Sequence, residues 1–346
     1  MLINSLALKN FKCFEELDVK FAPITLLTGA NSSGKSSLIN AILAVLQTEQ
    51  FPFYLSPNGK YVNMGSFEEM VYQNQANRAF DIFIEFTGDD AVFDTRWYRN
   101  SSNNLPRNIY DLDPSFVPDD FEKDFNYLGS FRQPPERTYY QKSKAQQKVD
   151  TDGSGYIDQI IEWEETEHLK LEALNGIMSQ IELFTEIQST KFKGGRFDLN
   201  VKTSVNSRFA SLTDVGFGIS QFLPIIVADL QLSNKSCLAI SQPEIHLHPK
   251  IQAQFGDYLA NQIKSTEKQY IVETHSEYLL NRIRLLLVTG ELKPEDVRVL
   301  YFENDGVKST VHDVEFTTDG QIKGAPQGFF DTYGIDVMNI AMNALG

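Results

Sequence analysis

A glycine-rich segment near the N-terminus has the residue types and spacing that bind a phosphate group. Residues 29–36 fit the pattern G-x-x-x-x-G-K-[ST], in which Gly29 and Gly34 let the backbone turn tightly beside an anion. Successive backbone N–H groups, together with the positive end of a following helix, would surround that anion. The residues expected to bind the phosphates are Asn31, Ser32, Ser33, Gly34, Lys35, Ser36 and Ser37.

Two side chains of this loop predict a nucleotide and a metal. Lys35 should bridge the β- and γ-phosphates, and the Ser36 hydroxyl should coordinate Mg²⁺. The apolar residues 24–28 predict a buried strand before the loop, and residues 35–46 predict a helix after it. Because strand, loop and helix occur in the required order, we prefer this interpretation to a chance Gly/Ser-rich turn.

The elements that must position this loop fall into two patterns. Residues 2–8, 15–21, 80–86 and 92–98 alternate in polarity and predict an N-terminal antiparallel portion. In the second half of the chain, short apolar strands alternate with helices, which predicts a mainly parallel sheet covered by helices. Strands are expected at residues 197–203, 237–240, 269–273, 297–303 and 307–316, and helices at residues 219–230, 249–263 and 276–288.

The middle of the chain is less regular. Residues 100–148 predict loops with short helices, whereas residues 157–187 carry helical periodicity. We therefore expect three segments: residues 1–99 and residues 211–346 as the two halves of one α/β domain, and residues 100–210 as an inserted, partly helical lobe.

Composition excludes several classes of protein. The chain has 346 residues and a formal net charge of −15, which argues against broad nonspecific nucleic-acid binding but leaves a local basic stripe open. No apolar run reaches the roughly 18 residues of a membrane span, and the N-terminus lacks the features of a signal peptide. Cys13 and Cys237 have no motif context and are expected to be core thiols, so we expect a cytoplasmic protein.

Two further patterns suggest metal sites that we do not favour. Residues 150–158 match the start of an EF-hand calcium loop, but position 12 is Ile161 and no entering helix precedes it. An Asp/Gly turn is the simpler interpretation. His246 and His248 lie close together, but no Cys or third His nearby completes a zinc site.

Three later segments narrow the function. Residues 238–249 form a strand that enters a Pro-containing turn, residues 215–221 form a glycine-rich turn that opens a helix, and His275 follows a buried strand. Their order and spacing resemble the nucleotide-binding heads of the ABC-type ATPase superfamily. There, they correspond to the Walker B strand with its D-loop, the signature motif and the switch histidine, respectively.

This resemblance implies an α/β ABC-type P-loop ATPase head with ATP and Mg²⁺ as cofactors. It also implies a head-to-tail homodimer that holds ATP between the phosphate loop of one subunit and Gly218 and Ser220 of the other. His275 would contact the γ-phosphate and sense its loss. Gln73 or Gln75 would serve as the Q-loop contact to Mg²⁺ and water.

More closely, the chain resembles the stand-alone ABC-class ATPases related to the OLD (overcoming lysogenization defect) family, which occur in anti-phage systems such as Septu and certain retrons. The segments that carry this resemblance are residues 10–12, 29–37, 216–224, 242–249, 273–277 and 328–331. It implies a regulatory ATPase that controls a separate effector, such as a nuclease. OLD-type nucleases continue into a Toprim domain, which we do not find here, so the effector should be another polypeptide.

Two other functions remain open on the sequence. An SMC-like clamp for DNA repair or chromosome maintenance would need long coiled-coil arms, and the segment at residues 157–187 lacks sustained heptads. A transporter ATPase would carry a compact Leu-Ser-Gly-Gly-Gln signature, which is absent from the sequence.

The chain departs from the family pattern at the end of the Walker B strand. Ser241 stands where an acidic residue is expected, and Gln242 stands at the general-base position. A serine supplies no carboxylate to Mg²⁺, and a glutamine can orient the attacking water but cannot take its proton. With Gln242 and His275 as the catalytic candidates, we expect ATP binding with slow or absent hydrolysis. Glu244 or Glu273 are candidates for partial compensation.

Overall fold

The computed structural model describes residues 2–49, 53–74, 79–87, 92–100, 105–108, 118–140, 148–326 and Phe329. The strands are β1 (Leu2–Phe11), β2 (Phe14–Lys20), β3 (Ile24–Gly29), β4 (Phe80–Thr87), β5 (Val92–Trp97), β6 (Phe125–Leu128), β7 (Tyr139–Tyr140), β8 (Glu186–Phe192), β9 (Arg196–Lys202), β10 (Ala210–Ser211), β11 (Cys237–Ser241), β12 (Gln269–Glu273), β13 (Val297–Asn304), β14 (Ser309–Phe316) and β15 (Ile322–Lys323). The α-helices are α1 (Lys35–Leu46), α2 (Phe67–Met70), α3 (Pro118–Lys123), α4 (Tyr156–Thr166), α5 (His168–Gln180), α6 (Phe217–Gln231), α7 (Pro249–Thr266) and α8 (Glu277–Val288).

The central sheet has seven strands in the order β15-β14-β13-β3-β12-β11-β6. The five strands from β13 to β6 are parallel, and β14 and β15 extend the sheet with antiparallel pairing. This arrangement confirms the mainly parallel core sheet. Because parallel strands end at the same edge, the segments that follow β3, β11 and β12 meet there, which is where ligands bind in open α/β sheets.

Both faces of the central sheet are covered. Leu26, Ile240 and Val272 belong to an apolar cluster that includes the buried side chains of α4 to α8. Their neighbours along the strands, such as Leu27 and Ala239, belong to a second cluster with α1 and the N-terminal strands. Successive residues of a strand point to opposite faces, so each strand contributes to both clusters.

The N-terminal antiparallel portion is a separate sheet of four strands. Its order is β2-β1-β4-β5, and every pairing in it is antiparallel, as the sequence predicts. Its apolar side chains share a cluster with α1, so this sheet covers the helix that follows the phosphate loop.

The middle region contains more strand than its sequence predicts. β6 is the edge strand of the central sheet and pairs in parallel with β11, although residues 100–148 predict only loops and short helices. The helical segment expected at residues 157–187 is wrong at its end, because α5 ends at Gln180 and β8 begins at Glu186. Gly194 and Gly195, both with positive φ, connect β8 to β9, and β9 also pairs with β7 and β10. The boundaries of the inserted lobe stay a prediction.

A buried polar cluster connects α6 to α7 and β12. The side chain of Asp229 is fully buried and accepts hydrogen bonds from the hydroxyls of Tyr258 and Tyr270, the latter at 2.9 Å. The ammonium of Lys268, itself 4% exposed, lies 3.3 Å from the carboxylate and donates to the Asp229 carbonyl at 2.6 Å. Burial and then the charge of Asp229 raise the pKa of both tyrosines, so their hydroxyls stay protonated donors.

The two cysteines are not joined in a disulfide. Cys13 and Cys237 are free thiols, and burial raises the pKa of Cys237. Among the helices of the described residues, none has both the length and the apolar composition that crossing a membrane requires.

Candidate nucleotide-binding site

A pocket of about 510 Å³ opens where the parallel strands of the central sheet end. It brings together the seven predicted loop residues, 31–37, with both catalytic candidates, Gln242 and His275. The pocket is also lined by Ser241, at the Walker B position, and by Glu273, one of the two candidates for partial compensation. The lining residues that the sequence patterns did not indicate are Cys13, Tyr127 and Ser130. The loop after β3, the turn after β11 and the end of β12 therefore form one site.

The loop has the geometry of an anion cradle. Within the described residues, the backbone N–H groups of residues 32–36 donate to no acceptor, and the buried hydroxyl of Ser33 is also without a partner. Unpaired N–H groups at a helix start are the donors that a phosphate group requires. The loop therefore fits a nucleotide phosphate.

The two glycines of the loop are required for packing as well as for the turn. Gly29 has φ +134°, and a Cβ there would lie 2.2 Å from the backbone oxygen of Phe302 on β13. Gly34 has φ +107°, and its Cβ would lie 2.9 Å from both the Cys13 sulfur and the Phe14 ring. A side chain at either position would push the loop away from the sheets on each side of it.

Lys35 lies beneath the loop with 3% of its surface exposed. Its ammonium donates to the backbone oxygens of Gly29 at 2.9 Å and Ala30 at 2.7 Å. Burial lowers the pKa of Lys35, and the charges of Glu273 and Glu244 oppose that shift. The ammonium therefore lies inside the loop, beside the atoms that would surround a bound phosphate.

A carboxylate faces the Ser36 hydroxyl across the pocket. Ser36 Oγ donates to the two carboxylate oxygens of Glu273, at 3.1 and 3.2 Å, and Ser241 Oγ donates to Oε2 at 2.8 Å. Glu273 and Ser241 are register partners on the parallel strands β12 and β11. The carboxylate that position 241 lacks is thus present on the neighbouring strand.

The segment after β6 supports the turn after β11. The buried guanidinium of Arg132 donates to the backbone oxygens of Ser241 at 3.1 Å and Gln242 at 2.9 Å. Burial lowers the pKa of Arg132 to about 10, so it stays charged at neutral pH. Gln221 of α6 reaches the backbone oxygen of Arg132 at 3.4 Å. Gln242 has φ +49°, a conformation that these contacts help to hold.

His275 is exposed at the pocket wall, where the sequence predicts a γ-phosphate contact. Its backbone N–H donates to Glu244 at 2.7 Å, and Glu244 also accepts from the Thr274 hydroxyl at 2.9 Å. Burial and then the positive charge of Lys35 lower the pKa of His275, so its imidazole is neutral at pH 7. Glu244 therefore positions the histidine and does not line the pocket itself.

The signature-like turn lies outside this pocket. Gly218 packs against the His246 backbone, since a Cβ there would lie 2.6 Å from the His246 oxygen. Ser220 is fully buried in α6, and its hydroxyl donates to the Phe217 oxygen at 2.8 Å. The predicted contact between the Ser220 hydroxyl and a partner's nucleotide is therefore not available in this conformation, and the turn instead exposes Gly216 and Phe217.

The remaining sequence candidates do not contribute to the pocket. Gln73 is exposed and does not line it, and Gln75 and residues 328, 330 and 331 lie outside the described residues. Asp150 and Asp152 bond to Ser154 within their own turn. His248 accepts from the Lys250 N–H at the start of α7. Over the described ranges, no group of three His, Cys, Asp or Glu residues is arranged to hold a metal.

The donor set at the pocket fits ATP with Mg²⁺. The loop offers free N–H groups to phosphate oxygens, and Ser36 with Glu273 offers hydroxyl and carboxylate oxygens, the ligands that Mg²⁺ prefers. A bound Mg²⁺ would neutralise charge on the β- and γ-phosphates.

Comparisons with known proteins agree with this site. The model of the AAA ATPase domain family matches residues 1–168 and 136–280, and a domain of unknown function, DUF3696, matches residues 292–340. The chain is 29% identical over 110 residues to the DNA replication and repair protein RecF of Cytophaga hutchinsonii. That alignment covers 31% of this chain and only 29% of the RecF protein.

Solved structures show the same fold. The SMC head domain from Thermotoga maritima has a TM-score of 0.51 at 15% identity and covers 91% of this chain and 100% of its own. An SMC head bound to the C-terminal winged-helix domain of ScpA has a TM-score of 0.54 at 14% identity, with coverages of 91% and 98%. These similarities confirm the predicted fold class, the α/β fold of an ABC-type P-loop head.

The family match extends over most of the chain and includes the phosphate loop, the turn after β11 and His275. On the strength of that match and of the site geometry, this chain belongs to the AAA ATPase domain family.

Proposed function

We propose that this protein is a regulatory ATPase that binds ATP with Mg²⁺ and hydrolyses it slowly. The observation that carries this proposal is the composition of one pocket. The phosphate loop there is complete, whereas Gln242 occupies the general-base position at the end of β11. The pocket therefore has the groups that bind ATP but lacks the base that fast hydrolysis requires.

The expected rate follows from the missing base. Among the pocket-lining residues that the structure describes, Glu273 is the carboxylate, and two hydroxyls already hold it on the Ser36 side. Loss of a general base lowers a rate by about 10² to 10⁴. Applied to an ordinary turnover of about 10 per second, this gives roughly 10⁻¹ to 10⁻³ per second.

The proposed active form is an ATP-bridged homodimer. The exposed residues Gly216 and Phe217 lie at the start of α6, where helix N–H groups and the helix dipole attract an anion. A γ-phosphate held in the loop of one subunit would reach this helix start in the other, whereas ADP lacks that group. His275 would respond to the same phosphate.

The output of this dimer is proposed to be control of a separate effector in the cytoplasm, such as a nuclease, in anti-phage defence. The support is the resemblance to OLD-related ATPases. The net charge of −15 does not favour nucleic acid as the main partner.

An SMC-like clamp is the alternative, since SMC heads share this fold. That function requires long coiled-coil arms. In the described residues, the arm candidates are α4 and α5, which have 11 and 13 residues and are interrupted at Glu167. The alternative is therefore not preferred.

The test measures ATP binding, phosphate release and mass for the wild type, Lys35→Ala and the control Lys264→Ala, a change of an exposed lysine on α7. We expect the wild type to bind ATP and to double its mass with ATP but not with ADP. Lys35→Ala should lose both the binding and the doubled mass, and Lys264→Ala should keep both. Turnover of several per second would contradict slow hydrolysis. Absence of ATP binding in the wild type would contradict the whole proposal.

A further inference from the structure

Glu273 is a buried carboxylate that forms no ion pair within the described residues. The residue is 6% exposed and accepts hydrogen bonds from two neutral hydroxyls. The charge of Lys35 acts on it only from beyond ion-pair distance, since the Lys35 ammonium donates to the backbone oxygens of Gly29 and Ala30. Burying a carboxylate is costly unless a counter-charge or several strong donors compensate it. The site therefore leaves room for a cation beside Glu273.

The register of the sheet places this carboxylate at the level of the missing Walker B acid. Ser241 and Glu273 are directly opposite each other on parallel neighbours, so their side chains lie on the same face at the same height. β12 also lies between β11 and β3, the strand that carries the phosphate loop. A long glutamate side chain on β12 thus reaches both Ser241 and Ser36.

We propose that Glu273 supplies the carboxylate that binds Mg²⁺, directly or through a coordinated water, beside Ser36, replacing the acid absent at position 241. This inference rests on the proposed ATP binding and adds a metal-binding residue from another strand. Ser36 and Glu273, together with phosphate oxygens of a bound nucleotide, would offer hard oxygen ligands of the kind that Mg²⁺ prefers. Ser241 then holds the carboxylate in place through its hydroxyl.

This assignment separates the two tasks of the Walker B end. The metal-binding carboxylate is retained on β12, while the general-base position, directly after β11, is occupied by Gln242, which cannot take the proton of the water. The nucleotide–metal complex is then stably bound although the attacking water lacks its base.

The test uses Mn²⁺ as the probe for the Mg²⁺ position and a non-hydrolysable ATP analogue as the nucleotide. Free Mn²⁺ is measured by electron paramagnetic resonance for the wild type, Glu273→Gln and the control Glu315→Gln, an exposed glutamate on β14. A fluorescent ATP analogue, titrated in EDTA, reports nucleotide binding without metal.

We expect Glu273→Gln to weaken Mn²⁺ binding to the nucleotide complex by about 10- to 100-fold. Binding of the fluorescent analogue in EDTA should stay within about twofold, because the phosphate loop is unchanged. The double variant Ser241→Asp with Glu273→Gln should recover most of the Mn²⁺ affinity, since it returns the carboxylate to β11. This rescue also shows that the loss in the single variant is not a failure to fold.

Unchanged Mn²⁺ affinity in Glu273→Gln would overturn the assignment. A loss of nucleotide binding in EDTA as large as the loss of Mn²⁺ binding would also overturn it, because Glu273 would then stabilise the phosphate loop and not bind the metal. Failure of the proposed function gives a different result, because the wild type would then bind no nucleotide in either titration.

Discussion

Lys268 provides a direct test of the buried cluster that joins α6 to β12. Lys268→Met keeps a long apolar stem but removes the ammonium that compensates the fully buried carboxylate of Asp229. Breaking a buried ion pair from one side costs about 3–5 kcal/mol. Because the hydroxyls of Tyr258 and Tyr270 still donate to Asp229, we expect the lower end, about 3 kcal/mol of unfolding free energy.

The assay is urea unfolding followed by circular dichroism, with Lys235→Met as the control. Lys235 pairs with Glu267 at 3.5 Å, but their side chains are 68% and 70% exposed. Loss of this exposed ion pair should therefore lower the free energy of unfolding by only about 0–1 kcal/mol. The double variant Asp229→Asn with Lys268→Met should be more stable than Lys268→Met alone, because no unpaired charge is left. Equal effects of the two single lysine changes would refute the reasoning.

Two further predictions concern the loop and its histidine. Gly29→Ala should lower the free energy of unfolding, measured in urea, by about 2–6 kcal/mol, because the new Cβ would clash with the Phe302 backbone and Gly29 has a positive φ. The control Gly176→Ala, which has open space around it in α5, should raise the free energy of unfolding by up to about 1 kcal/mol. For His275, a lowered pKa means that the unfolded chain binds the proton first, so part of the stability is lost as the pH falls below about 6.5. His275→Gln should narrow the difference in unfolding midpoint between about pH 7.5 and pH 5.5, and an unchanged difference would contradict the lowered pKa.

The sequence predicts the central strands well, because their patterns are local. The buried run at residues 269–273 has the same bounds as β12, and the helix expected at residues 35–46 has the bounds of α1. Both follow from short apolar runs and from the glycine, lysine and serine of the loop. Such elements can be recognised from their own residues, because their apolar pattern alone indicates a buried strand or helix.

β6 could not be predicted in the same way. Its four residues are too few to show alternation, and the strand is defined by pairing with β11, which lies more than one hundred residues later in the chain. The end of the helical segment could not be predicted either, because Ile181 and Leu183 continue the apolar pattern and are buried, although they lie after α5 has ended at Gln180. Gly194 and Gly195 are the signal that would have indicated the β8–β9 hairpin.

The residues of the site also divide into those in a local motif and those brought together by strand pairing. The phosphate loop is a contiguous motif and was predicted residue by residue, and the pocket contains all seven of its members. The facing of Glu273 toward Ser36 depends on strand order and register, which no single segment of sequence specifies. Tyr127 and Arg132 belong to the site for the same reason, since Tyr127 lies on the edge strand β6 and Arg132 lies in the segment that follows it.

Arg132 gives the site a mechanical connection to the surface of the molecule. Gln221 of α6 contacts the backbone of Arg132, and the Arg132 side chain in turn bonds the backbone oxygens of Ser241 and Gln242. α6 begins at the exposed turn where a second subunit is proposed to dock. A displacement of that turn would therefore reach the backbone of Gln242 through two side chains, those of Gln221 and Arg132. In the proposed dimer, the rate of hydrolysis would then depend on whether a second subunit is bound at this turn.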